Sequence, residues 1–183
     1  VKVGTVIGFH EGTTSVQQKY DEAQKAIEDG ADELDFVINF RAYLAGDVEQ
    51  VHEEVVKCTE LALKNGKIAK WIIEIAALND QQIADITAKI VSWTTENFPD
   101  EVSHVFVKSS TGFYQTDGGK PNGATPEGIK IMIENAGKLP VKAAGGVRTH
   151  QEALDMIKLG IQRIGTSSAK ALADDSEKIG EGY

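Results

Sequence analysis

The sequence predicts an α/β fold, a TIM (β/α)8 barrel of which this chain carries about six strand–helix units. Apolar, β-rich runs alternate with amphipathic helical runs from end to end, which implies parallel strands joined by right-handed crossovers under a cover of helices. No G-x-G-x-x-G follows the first strand and no P-loop is present, so the doubly wound open sheet loses its usual signatures. Each strand carries a polar residue at or near its C-terminal end, the end where barrel sites are built.

Taken in order, residues 1–9 read as a strand. A helix comes next, capped by Thr14 or Ser15, with Val16, Tyr20, Ala23 and Ile27 on one face and Gly30 at its end. Residues 33–40 form the next strand, and a helix runs from about Asp47 to Asn65, closed by Gly66. Residues 70–78 are a strand, and Asn79 or Asp80 caps a helix carrying Ile83, Ile86, Ile90 and Trp93. Residues 104–109 are a strand leading into a long glycine-rich loop, after which Thr125-Pro126-Glu127 opens a helix in the favoured order of cap, proline and acid. Residues 141–144 are a strand, Thr149 caps a helix ending at Gly160, residues 162–165 are the last strand, and Ser167 or Ser168 starts a short final helix.

A full barrel has eight such units in about 250 residues. The chain has 183 residues and opens inside a strand pattern, with no initiator Met and no signal peptide. Two further units are therefore expected ahead of Val1. Residues 1–173 are read as one barrel domain, incomplete at its N-terminus, and 174–183 as a flexible tail.

Composition narrows the function. A hydrophobic fraction of 41% and a charged fraction of 26% are ordinary for a soluble protein. The net charge of −9 argues against nucleic acid or an anionic membrane as partner. No run nears the 18 or so apolar residues of a membrane span; the longest, Trp71 to Leu78, is broken by Glu74. The single cysteine, Cys58, cannot close an internal disulfide and sits in a helical apolar pattern, which fits a packed thiol in a reducing cytoplasm.

Four charged side chains fall inside apolar strands: Asp35, Glu74, Lys108 and Lys142. By the period of two, Asp35 shares a face with Val37 and Asn39, and Lys108 with Phe106, while Val105 and Val107 face the helices. A strand-interior lysine is costly unless paired. One reading is therefore a structural ion pair with Asp35 or Glu74. The other is chemical: burial and a neighbouring like charge both disfavour the ammonium form, and a neutral amine is the nucleophile of Schiff-base chemistry. Asp35 would then order the second ammonium and relay a proton. Two lysines aimed at one end of the sheet favour an enzyme over a scaffold.

A second cluster reads as a phosphate site. Gly145-Gly146-Val147-Arg148 comes after one strand, and Gly165-Thr166-Ser167-Ser168 comes after the next and opens a helix. Glycine lets backbone N–H groups approach an anion, and a helix N-terminus adds positive potential, at the last two strands where barrels often hold phosphate. Thr111 and Gly112, in the loop after Lys108, are placed to reach the same ligand. His10, His52, His104 and His150 show no metal-binding spacing, so no metal and no cofactor are expected. The acidic residues between Glu49 and Glu60 read as a solvated helix face, and Trp71 and Trp93 as packing.

In these motifs the chain resembles the deoxyribose-phosphate aldolases, a family of class I aldolases, over nearly its whole length. Gly30-Ala31-Asp32-Glu33-Leu34-Asp35 is similar to the family's G-A-D-E-[VIL]-D segment, and Arg41-Ala42-Tyr43-Leu44-Ala45-Gly46 lies just beyond it. Lys108-Ser109-Ser110-Thr111-Gly112 is similar to K-[TS]-S-T-G, Lys142 to Thr149 to K-x-[AS]-G-G-[VI]-R-T, and Arg163 to Ser168 to R-[IF]-G-[AT]-S-S. The resemblance implies that Lys108 forms the Schiff base, that Lys142 tunes it and that Asp35 handles proton transfer. It implies reversible cleavage of 2-deoxy-D-ribose 5-phosphate to acetaldehyde and D-glyceraldehyde 3-phosphate, in deoxyribose phosphate catabolism, without a metal. Some members end in a tyrosine that reaches the active site, which nominates Tyr183 as a proton carrier. The chain departs from the pattern at His10, usually proline, at Ile75-Ala76 in the usual E-T-G-x-L, and at Phe113, where some members place a phosphate-binding lysine.

The alternatives are another Schiff-base phosphosugar aldolase, a non-catalytic phosphosugar-binding barrel and, on fold grounds alone, a phosphate-gripping isomerase. The expected partner is a small phosphorylated aldehyde; a homo-oligomer is compatible with the sequence.

Overall fold

The computed structural model describes residues 1–173. Its strands are β1 (Gly4–Ile7), β2 (Glu33–Val37), β3 (Ile68–Ile72), β4 (Val105–Lys108), β5 (Val141–Ala144) and β6 (Arg163–Gly165). The helices are α1 (Val16–Glu28), α2 (Phe40–Leu44), α3 (Val48–Lys64), α4 (Asp80–Asn97), α5 (Pro126–Asn135), α6 (His150–Leu159) and α7 (Ala169–Ala173). The strands stand side by side in chain order and every neighbouring pair is parallel. This is the predicted arc of a (β/α) barrel. Among the described residues no strand hydrogen bonds join β1 to β6. The sheet nevertheless curls enough for Gly4–Val6 of β1 and Gly165 and Thr166 at the end of β6 to line one cavity.

Strand alternation sorts the residues into two faces. Leu34 and Phe36, Ala69 and Trp71, Val105 and Val107, and Val141 and Ala143 are buried under the helices. Phe36 stacks on Trp71 with ring centroids 4.8 Å apart, and the Trp71 indole N–H donates to Thr59 Oγ1 of α3 at 2.9 Å. Burial of a side chain like Phe36 contributes about 1.5–3 kcal/mol, and this layer fixes which residues must point the other way. Those inward residues include Glu33, Asp35, Lys70, Lys108, Lys142 and Arg163.

Helix starts agree with the predicted caps. Ser15 with Gln18, Asn79 with Gln82, and Thr149 with Glu152 each form a reciprocal capping box, and Thr125 precedes Pro126. Strand ends differ from expectation. β2 stops at Val37, not residue 40, because the Asn39 side chain accepts from the Ala42 amide and opens the short helix α2. β3 runs from Ile68 to Ile72 and breaks at Glu74, which leads into a 3-10 turn at Ile75–Ala77.

The acidic face expected on α3 is only partly solvated. Glu53 and Glu60 are not buried, whereas Glu54 is fully buried and paired with the equally buried Lys19 of α1. Glu54 Oε1 also accepts the Asn39 N–H at 2.6 Å, so the pair ties α1, α3 and the β2–α2 turn together. Cys58, on the same helix, is buried, and burial pushes its thiol up to about 12, the range of an inert packed group.

We expect Lys19→Met to lower the unfolding free energy by about 3–5 kcal/mol, because it strands a buried carboxylate. Lys19→Met/Glu54→Gln, which keeps an acceptor for Asn39, should recover part of that loss. Denaturant midpoints check this: an unchanged midpoint in the single variant, or a double variant less stable than the single, rules the pair out as a stabilising tie.

Candidate active site

The inward residues converge on Asp35. Its Oδ1 accepts from Lys70 Nζ at 2.6 Å, and its Oδ2 accepts from both Lys108 Nζ at 2.8 Å and Lys142 Nζ at 2.7 Å. Parallel pairing explains the meeting. Asp35 and Lys70 are register partners, and Lys108 lies level with Lys142 on the adjoining strand. The two lysines predicted to share a cavity therefore hold the same carboxylate oxygen.

Below them lies a second layer. Lys70 Nζ also pairs with Glu33 at 2.8 Å, and Glu33 takes a two-pronged bond from Arg163, each N–O distance 3.1 Å. The Arg163 guanidinium sits over the Phe106 ring, 5.6 Å from its centroid. Among the described residues the ion pairs of this cluster set four cations, Lys70, Lys108, Lys142 and Arg163, against two carboxylates, Glu33 and Asp35, a local surplus of positive charge in a chain whose net charge is −9. Such a pocket attracts anions and makes the loss of one ammonium proton easier.

The titration behaviour reflects this crowding. Burial would raise the Asp35 carboxyl, but the charges of Lys108, Lys142 and Lys70 overrule it and hold Asp35 far below the usual carboxylate range. For Lys142, burial is the main cause and lowers its pKa; Asp35 opposes the shift and Lys108 adds to it. Glu33 is likewise lowered, burial being outweighed by Lys70 and Arg163.

The cavity over this cluster has a volume of about 270 Å³. Of the residues predicted from sequence, Asp35, Lys108, Lys142, Thr111, Gly145 and Gly165 line it. Gly112, Gly146, Ser167 and Ser168 do not line it, but each adjoins a lining residue or, for Ser168, packs behind one: its N–H donates to Thr166 Oγ1 at 2.9 Å. Tyr183 and the expected tail lie outside the described residues. Thr166 of the expected phosphate motif lines it too, and Lys70, Glu33 and Thr5 do so in addition to the residues the sequence nominates. A signal for Lys70 is present in the chain: it alternates with Trp71 in a strand, as Lys108 alternates with Val107.

The loops after β4 and β5 meet through bare backbone. Gly145, at φ 75, packs against Gly123 and Gly112. A Cβ on Gly123 would lie 2.4 Å from the Gly145 carbonyl, and one on Gly145 would lie 3.0 Å from Gly123 Cα. The Ala124 N–H donates to the carbonyls of Ala144 and Gly145 at 3.1 and 2.9 Å, locking the two loops. Ser109 Oγ bridges the Ala144 carbonyl and amide at 3.1 and 3.0 Å, which keeps Lys108 and Lys142 side by side.

Glu74 closes the rim between β3 and β4. Its Oε2 accepts the Thr111 amide at 3.1 Å and the Thr111 hydroxyl, and burial raises its carboxyl despite those bonds. The described residues contain no cluster of three or more His, Cys, Asp or Glu able to hold a metal, and no helix among them is long and apolar enough to cross a membrane.

Comparison with known proteins agrees with this geometry. The family model for DeoC/LacD family aldolases matches residues 1–172. The deoxyribose-phosphate aldolase of Caldicellulosiruptor saccharolyticus is 44% identical over 96% of this chain and 74% of its own length. That of Thermococcus gammatolerans is 41% identical over 95% of this chain and 71% of its own. Among solved structures, the aldolase QR15 superposes with a TM-score of 0.80 at 35% identity, covering 95% of this chain and 72% of that one. The tetrameric deoxyribose phosphate aldolase of Aeropyrum pernix gives 0.76 at 32% identity, covering 95% and 67%. The chain belongs to the DeoC/LacD family of aldolases.

Proposed function

We propose that this aldolase reversibly cleaves 2-deoxy-D-ribose 5-phosphate to acetaldehyde and D-glyceraldehyde 3-phosphate through a Schiff base on Lys108. The observation that carries the reading is the contact of Lys108 and Lys142 with one oxygen of Asp35 inside a cationic cavity. One carboxylate cannot neutralise two ammonium groups, so one of the pair gives up a proton with comparative ease.

In the cleavage direction the Lys108 amine adds to the C1 aldehyde, and loss of water leaves a protonated imine. A base takes the proton of the C3 hydroxyl, the C2–C3 bond breaks, and its electron pair flows into the iminium to give an enamine. D-Glyceraldehyde 3-phosphate departs. Protonation at C2 and addition of water release acetaldehyde and restore the amine. Lys142, whose proton burial loosens, and Asp35, which touches both amines, form the proton relay. Lys70 holds the other oxygen of Asp35 and so keeps the shared oxygen turned to the pair.

The substrate's phosphate is assigned to the loops after β5 and β6, with Gly145, Gly146, Gly165, Ser167 and Ser168 as its frame and Thr111 and Gly112 beside it. The fully buried Cys58 suits a reducing cytoplasm. A tetramer, as in the Aeropyrum pernix aldolase, is the assembly to test first.

Borohydride reduction in the presence of acetaldehyde should inactivate the enzyme and leave a two-carbon adduct on Lys108 by peptide mass mapping. An adduct on another residue, or an active enzyme with none, defeats the assignment. The pH profile tests the relay. Because burial lowers the Lys142 pKa, its neutral form appears below the ordinary lysine range, and kcat/KM should rise with pH below that range. Lys142→Met should displace that rise and lower kcat by about 10²–10⁴-fold; an unaltered profile would count against Lys142 as proton carrier.

A further inference from the structure

Glu74 stands out twice. Its side chain is 1% exposed, and its backbone, at φ 57 and ψ 67, is the left-handed non-glycine conformation among the described residues. Such a backbone disfavours any residue with a Cβ, and it persists where the surroundings over-determine it, most often at active sites. A glycine would suit the backbone better, and an apolar side chain would suit the burial better. The carboxyl answers to something else.

What it answers to is the segment leaving Lys108. Ile73 and Ile75 donate their amides to the carbonyls of Lys108 and Ser109 at 3.0 and 2.9 Å, so residue 74 sits in the middle of a suture between β3 and β4. From there Glu74 Oε2 receives both the N–H and the hydroxyl of Thr111, and Thr111 Oγ1 receives the Phe113 N–H at 3.0 Å. Thr111 lines the cavity three residues after Lys108. One carboxyl oxygen therefore sets both the rotamer of Thr111 and the path of the chain from Lys108 to Phe113. Its other oxygen, Oε1, is buried and makes no hydrogen bond among the described residues, so the group is not held by a wider polar network there.

We propose that Glu74 is a positioning residue for the aldol reaction: by clamping Thr111 it presents that side chain to the bound substrate in a single orientation beside Lys108. This rests on the Schiff-base reading above. Misplacing a contact by about 1 Å can cost on the order of a hundredfold in rate, so a clamp of this kind shows itself in turnover more than in folding. Among the described residues, Glu74 is the side chain that receives the Thr111 hydroxyl proton.

The test compares Glu74→Gly, Glu74→Gln, Thr111→Val, Thr111→Ser and Glu74→Gly/Thr111→Val in the cleavage assay, with borohydride trapping alongside. Glycine relieves the left-handed backbone while removing the carboxyl, and glutamine keeps an oxygen able to accept both bonds. We expect Glu74→Gly to lower kcat by about tenfold or more with a smaller change in KM, and Lys108 to be trapped as before. Glu74→Gln should recover most of that loss, Thr111→Ser should be far milder than Thr111→Val, and the double variant should fall no further than the worse single. Unchanged kcat in Glu74→Gly, glutamine no better than glycine, or losses that multiply in the double variant would overturn the proposal. Should Glu74→Gly not fold, the contrast between Thr111→Val and Thr111→Ser decides, and equal activities overturn it. Failure to trap Lys108 in the unaltered enzyme defeats the aldolase reading instead, a result separate from any of these.

Discussion

Everything in the lumen is arranged around one carboxylate. Among the described residues, Asp35 is the acid that touches both Lys108 and Lys142, and it does so through a single oxygen, the other being held by Lys70. Removing this group would leave three ammonium charges facing one another in a buried space, a far larger electrostatic penalty than any surface pair incurs. The same crowding suits the proposed Schiff-base chemistry. A fully neutralised lysine would stay charged and inert, whereas an under-neutralised one can become an amine. Stability and reactivity draw on the same short contacts, and the lower layer of Glu33 and Arg163 keeps the arrangement from relaxing.

Much of this is legible in the sequence, because strand alternation is a strict rule. The residues flanking Lys108 are valine and serine, and a strand that buries Val105 and Val107 under helices must turn Phe106 and Lys108 inward. The caps are legible for the same local reason: Ser15, Asn79, Thr125 and Thr149 satisfy amides only a few residues away. Lys70 is harder to read, because the apolar run puts it at the start of a strand that in fact begins at Ile68. A boundary displaced by two residues hides a lysine that touches the central carboxylate.

The features that elude sequence reasoning are those set by long-range packing. Glu54 sits in a run of acids that reads as solvated, and only the approach of Lys19 from another helix makes its burial tolerable. The end of β2 and the break after β3 depend on Asn39 and Glu74, two side chains that compete with the strand ladder for backbone partners. Residue type announces neither event, since asparagine and glutamate at a strand end are ordinary. Both lie at the rim where the sheet hands over to the loops that shape the cavity.

The contact among Gly112, Gly123 and Gly145 has a consequence for how this pocket can diversify. Three peptide backbones meet there with no side chain between them, so Gly123 and Gly145 offer no room for a larger residue. Larger changes find room instead at positions such as Phe9 and Phe113, whose rings meet at 5.1 Å, stand partly in solvent and do not line the cavity. The glycine contact is thereby closed to tinkering, and the solvent-facing loop residues are where selection or design has room to act.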